Sequence, residues 1–205
     1  MPGTLTDDDL AYVRLLSESG ARAPLIGGRF MAWWGLMTTM AWIAQHFGIR
    51  GAFGDGGGVF VAIWLSYIAL GMAGQILLAR SMPEMAGGGS AGNLASRSVW
   101  TAGTAAIGSM AVGAILLSGG EMGPRAYDWI VPVAFAVYAC ALIVSGSLAA
   151  ERVAIVAGYG AVLMVGLTTA VILDPNRYLV AAAGAAATVL LPGLILMARE
   201  PTGRG

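Results

Sequence analysis

The sequence predicts an all-α polytopic membrane protein with six transmembrane helices that form three helical hairpins. Six apolar stretches contain no charged side chain and cover residues 30–49, 57–79, 98–120, 129–149, 153–173 and 178–198. A helix rises about 1.5 Å per residue, so each stretch can cross the ~30 Å hydrocarbon core of a bilayer. Hydrophobic residues make up 58% of the chain and charged residues only 11%. A soluble domain of 205 residues could not bury that much apolar surface.

Residues 1–28 precede the first span as a polar segment that includes a predicted short amphipathic helix from Asp7 to Glu18. Its acidic start suits the positive end of a helix and disfavours binding to anionic lipid. We therefore expect it to dock onto a protein surface, and folding back onto the chain's own inner loops is the alternative. The docking residues would be the three apolar residues at every third position, Leu10, Val13 and Leu16.

Residues 29–199 are predicted to form the six-helix bundle, and residues 200–205 a short tail. All 11 basic residues are arginine, which is typical of a GC-rich genome. We expect the chain to lie in the cytoplasmic (inner) membrane of a bacterium. With the N-terminus inside, only Arg50, Arg125 and Arg177 lie on the outer side. Because positive charge marks the cytoplasmic side, both termini are predicted to be cytoplasmic. The inner group comprises Arg14, Arg22, Arg29, Arg80, Arg97, Arg152, Arg199 and Arg204.

A weak internal repeat supports the hairpin arrangement. Arg29, Arg97 and Arg152 each open an odd-numbered span, and a glycine follows each of them six residues later. Such a spacing is expected when similar helical units stack side by side. The alternative is that arginine marks every inner boundary and that glycine, with 31 copies, is simply common. The three glycines are Gly35, Gly103 and Gly158.

The composition argues against enzymatic, metal-binding and nucleic-acid-binding functions. Proton relays and ion pathways need ionisable side chains inside the membrane, and the six spans have none apart from His46. One histidine and one cysteine cannot form a usual catalytic or metal-binding set. The formal net charge is zero, so no basic surface for nucleic acid is expected. We predict no catalytic residues, no metal site and no cofactor.

His46 is the only histidine and lies at the outer end of the first span. It could provide one axial ligand to a haem, or sense external pH, because imidazole titrates near pH 6.5. Without a second histidine at helical spacing, the favoured interpretation is an amphipathic side chain at the level of the lipid headgroups.

Hydroxyl groups recur near the middle of five spans, at Thr39, Tyr67, Ser109, Tyr138 and Thr188. In hydrocarbon such groups need hydrogen-bond partners, so they are expected to face the bundle interior. One hypothesis is a polar cavity that binds a neutral solute or a lipid group. The favoured alternative is hydrogen bonding between helices or to the helix's own backbone.

Small residues at every fourth position predict close helix packing. Thr104 with Gly108 and Ser109 with Gly113 lie on the third span, and residues 181–187 are all small. Together these features favour a non-enzymatic accessory or regulatory subunit of a membrane complex, which contacts the lipid bilayer and a membrane-protein partner or a second copy of itself. The alternative is a small transporter or channel for a neutral or weakly polar solute.

Overall fold

The computed structural model describes residues 25–54, 57–81, 90–117 and 127–200. The predicted docking residues Leu10, Val13 and Leu16 lie outside these ranges. The described chain is all-helical and has no β-strand, which confirms the all-α part of the predicted fold class. Its six helices are α1 (Gly28–Gly48), α2 (Gly57–Ser81), α3 (Ala91–Leu117), α4 (Ile130–Leu148), α5 (Arg152–Ala170) and α6 (Arg177–Arg199).

Four of these helices are long and apolar enough to cross a membrane: α4, α5, α6 and the Gly58–Ser81 part of α2. α1 and α3 are not among the four. α3 also begins earlier than its predicted span, because the Ser90 hydroxyl accepts a hydrogen bond from the Asn93 N–H and caps the helix. Residues 91–96, which precede the third apolar stretch, are therefore helical.

α6 contains a π-helical turn at Ala186–Leu190 between two α-helical parts, Arg177–Ala185 and Leu191–Arg199. Pro192 follows this turn, and proline has no N–H to donate to the carbonyl four residues earlier. The π-helical turn is a single-turn bulge inside an otherwise α-helical segment, so α6 continues past the proline without breaking. The helix is consequently wider here than a regular α-helix.

The four-helix core consists of α1, α4, α5 and α6, whose buried residues form one hydrophobic cluster around Trp42, Phe135 and Ala161. The most extensive pairings are α1 with α6 and α4 with α5. In each of these pairings the two helix backbones come close together at a glycine. A Cβ placed on Gly35 would lie 2.6 Å from the backbone nitrogen of Leu190, and one on Gly158 would lie 3.0 Å from that of Ile143. These two helix pairs can approach so closely only because no side chain intervenes.

α2 and α3 lie outside the four-helix core. Gly71 is the only buried residue between positions 58 and 81, and α2 is attached through Trp33 and Trp34 of α1. The Trp33 indole N–H donates to the Gly71 carbonyl at 3.0 Å, and the Trp34 N–H donates to Gln75 Oε1 at 2.5 Å. α3 packs on α4, where Gly103 faces the side chain of Val137.

The two ends of the bundle differ in charge. Arg29, Arg80, Arg97, Arg152 and Arg199 lie at one end, here called the arginine-rich end, and Arg50 and Arg177 lie at the other. At the arginine-rich end Glu200, whose side chain is 1% exposed, pairs with Arg29 at 2.9 Å and accepts a hydrogen bond from Gly27 N. The first residue of the predicted tail thus fastens the end of α6 to the start of α1.

Candidate functional site

α1 directs several polar side chains into the bundle. Thr38, Gln45 and His46 are all buried, and Trp42 lies between them on the same helical face. Positions 38, 42, 45 and 46 follow the spacing of one helix face, so the chain places its polar groups along a single stripe. The stripe faces α2, α4 and α6.

A hydroxyl cluster of Thr38, Tyr67 and Tyr138 lies near the middle of this stripe. The Thr38 and Tyr67 hydroxyl oxygens are 3.2 Å apart, and the Tyr138 hydroxyl lies near that of Thr38. The three groups come from α1, α2 and α4. Tyr67 also makes edge contacts with Trp34 and Trp64, at 5.5 and 5.4 Å between ring centroids. The cluster is thus enclosed by aromatic rings.

The five midplane hydroxyls predicted from the sequence do not meet at one point. Tyr67 and Tyr138 come together in the hydroxyl cluster. Thr39 and Thr188 instead donate to the carbonyls of Gly35 and Gly184 on their own helices, at 2.7 and 2.8 Å. Ser109 is exposed on α3.

Thr38 is not among the site residues predicted from the sequence, although it is adjacent to Thr39. Depth in the span, which favours Thr39, does not distinguish the two sides of a helix. The spacing of Thr38 with Trp42 and Gln45, four and seven residues apart, is the signal that identifies it.

Aromatic rings and an ion pair close the bundle above the hydroxyl cluster. The Trp42 ring stacks on Tyr178 at 5.5 Å and meets the edge of Trp64 at 4.8 Å. The Tyr178 hydroxyl donates to Asp128 Oδ1 at 2.6 Å, and Arg177 pairs with the same oxygen at 2.9 Å. One carboxylate thereby joins the start of α6 to the segment that precedes α4.

Three buried polar atoms near this end have no hydrogen-bond partner within the described chain: Gln45 Oε1, His46 Nδ1 and Trp64 Nε1. Gln45 lines the outer pocket, a cavity of about 210 Å³ between α1 and α2. Liquid water occupies about 30 Å³ per molecule, so the pocket has room for several waters or one small solute. Its other lining residues are Gly48, Ile49, Gly51, Gly54, Val59, Phe60 and Ile63.

His46 is 2% exposed, and its ring meets Phe47 edge-on at 5.3 Å. The ring lies in the last turn of α1 and is covered by neighbouring atoms. Within the described ranges no three His, Cys, Asp or Glu side chains are close enough together to hold a metal ion. The side chains packed around α1 provide hydrogen-bonding groups and aromatic rings.

Comparison of the chain with protein-family models, characterised proteins and solved structures finds no match.

Proposed function

We propose that the chain is a six-span accessory or regulatory subunit of a bacterial inner-membrane complex, with both termini cytoplasmic, and that it acts through protein contacts. In this proposal α1 and α3 cross the bilayer alongside the four more apolar helices. The pairs α1–α2, α3–α4 and α5–α6 would be the three hairpins, and the members of each pair are in contact.

The observation that carries the proposal is the exposed face of α3. A Cβ on Gly108 or Gly113 would meet no atom within 4 Å, and Thr104 and Ser109 are exposed beside them. Lipid gives little advantage to such a surface, because its tails cannot hydrogen-bond and pack loosely against bare backbone. A helix from another subunit could approach it closely and gain van der Waals contact.

The experiment compares two glycines that are open in the monomer. Gly108→Leu would block close approach to α3, whereas Gly166→Leu adds the same side chain to α5, where a Cβ also meets nothing within 4 Å. After purification in mild detergent, light scattering and mass spectrometry of co-eluting protein should show that only Gly108→Leu loses the partner or the second copy. A complex retained equally by both variants contradicts the proposal.

The predicted N-terminal helix is the other docking element of the proposed subunit. Deleting residues 6–19 leaves every described helix in place, so insertion should be unaffected. Release of the partner by this deletion and by polar substitution of Leu10, Val13 and Leu16 would assign the contact to this segment.

Membrane topology is tested with reporter fusions. Reporters after Gly205 and within residues 82–89 should report cytoplasm, and one at Gly123 should report the outside, because the arginine asymmetry governs insertion. A C-terminal reporter on the outer side would require a different number of spans.

A small transporter or channel for a neutral solute is the second proposal, and the unpartnered Gln45 amide oxygen in the outer pocket favours it. An acceptor buried without a partner costs free energy that a solute hydroxyl or amide could recover. Proteoliposomes should then admit glycerol or urea faster than empty liposomes, and Gln45→Leu should remove the difference. Equal rates with and without the protein would reject this alternative.

A further inference from the structure

A lateral groove between α5 and α6 opens at the arginine-rich end of the bundle. It has a volume of about 590 Å³, and its wall includes Arg152, Val156, Gly160, Ala187, Thr188 and Pro192. That volume falls within the range of about 300–1,000 Å³ typical of small-molecule sites. The groove is separate from the hydroxyl cluster and the outer pocket.

The local sequence explains why the two helices part here. The π-helical turn at Ala186–Leu190 widens α6, and Pro192 follows it. On the facing side Ala157 and Gly160 leave α5 nearly bare. Arg152 and Gly160 are eight residues apart, or about 12 Å along a helix, which is most of the ~15 Å depth of one hydrocarbon leaflet.

The wall of the groove is almost entirely apolar. Thr188 is the hydroxyl at its deep end, and that hydroxyl already donates to the Gly184 carbonyl at 2.8 Å. A polar solute would therefore lose its hydration and could gain only the acceptor side of this one hydroxyl there. An alkyl chain makes no hydrogen bonds with water, so it would lose none by entering the groove.

The mouth of the groove has the opposite character. The Arg152 side chain is exposed and makes no ion pair or hydrogen bond within the described chain. By contrast, Arg29 pairs with Glu200, and Arg199 pairs with Glu151. Glu151 lies next to Arg152, but its carboxylate is already shared between Arg199 and the Val153 N–H. Of the described charges at the mouth, Arg152 is therefore the one left without a counter-charge.

We propose that this groove binds one acyl chain of an anionic glycerophospholipid, with the lipid phosphate on Arg152. The apolar walls span about one leaflet and suit the lipid's acyl chain. The unpartnered guanidinium of Arg152 at the membrane boundary suits the lipid's phosphate. Basic pockets between transmembrane helices are suited to anionic headgroups for the same reason. The proposal does not depend on the chain having a protein partner.

The test uses the full chain in nanodiscs that contain phosphatidylcholine and phosphatidylglycerol, with retained lipid counted by native mass spectrometry. The wild-type protein should retain phosphatidylglycerol preferentially. Arg152→Gln should lower that preference about fivefold, the effect expected of one arginine at an anionic membrane surface. Arg97→Gln is the matched control, because Arg97 lies at the same end on α3 and does not line the groove. It should leave the preference unchanged.

A second pair of variants fills the groove. Val156 is 71% exposed and Ala187 is also exposed, so Val156→Trp and Ala187→Phe can enlarge the wall without entering the four-helix core. Both should reduce retention of the two lipids together, with thermal unfolding by circular dichroism unchanged. Equal retention of both lipids by the wild type, an unchanged preference in Arg152→Gln, or wild-type retention by both filled variants would each overturn the proposal.

Discussion

The four-helix core and the two outer helices are joined to their neighbours in different ways. In the core, Gly35 and Gly158 bring backbone against backbone. α2 is attached instead by the indole rings of Trp33 and Trp34 lying against Gly74 and Gly71. A backbone contact cannot yield without moving a helix, whereas a ring contact can yield by rotation about side-chain bonds. The core therefore fixes the architecture, and the outer helices are better suited to changing their contacts.

The largest effect is expected from Gly35→Leu. Its Cβ would lie 2.6 Å from the Leu190 backbone nitrogen, so α1 and α6 must separate. Overpacking usually costs about 1–3 kcal/mol, and we expect the free energy of unfolding to fall by at least ~3 kcal/mol here because backbone cannot repack. The free energy of unfolding would be measured by denaturation in mixed micelles. Gly166→Leu on α5, where a Cβ meets nothing within 4 Å, is the control and should unfold like the wild type. Equal losses in both variants would show that the loss does not come from the α1–α6 backbone contact.

An intermediate effect is expected from Gly71→Leu on α2. The new side chain would collide with the Trp34 ring, which can turn away. We therefore expect a loss of about 1–3 kcal/mol, together with a shifted tryptophan emission as the indole leaves Gln75. Gly58→Leu on the same helix meets nothing within 4 Å and serves as the control. A loss as large as that of Gly35→Leu would place α2 within the core.

The smallest effect is expected from Tyr67→Phe, which removes the hydrogen bond with Thr38 and keeps the ring. Such bonds in membranes contribute about 0.6 kcal/mol on average, so the free energy of unfolding should change by no more than ~1 kcal/mol. Tyr159→Phe, at a site 60% exposed on α5, should change nothing. A much larger loss at Tyr67 would show that the hydroxyl cluster organises the bundle.

The helices could be predicted from the sequence because an uncharged apolar stretch of membrane-spanning length has few other structures open to it. The glycines that follow Arg29, Arg97 and Arg152 were also informative. Each of them lies against a neighbouring helix: Gly35 on α6, Gly103 on α4 and Gly158 on α4. The repeat thus marked contact positions, although the most extensive pairings, α1–α6 and α4–α5, could not be read from it.

The candidate site was less predictable, because it depends on which helices become neighbours. Asp128 illustrates the difficulty, since it lies in a connecting segment and acquires its role only when α6 brings Arg177 and Tyr178 beside it. The outer pocket likewise forms only when α2 folds against α1. Nothing in the local sequence around Gln45 specifies that its amide will line a cavity.

The pairing of α1 with α6 has a consequence for biosynthesis. Of the described helices, α1 is made first; it carries buried Gln45 and His46 and is not among the four that are long and apolar enough to cross a membrane. Of the described helices, its most extensive partner, α6, is made last, and the Arg29–Glu200 ion pair joins the start of α1 to the residue that follows α6. The α1–α6 contact therefore cannot form until the other described helices have been made, which makes it a late step in assembly of the bundle.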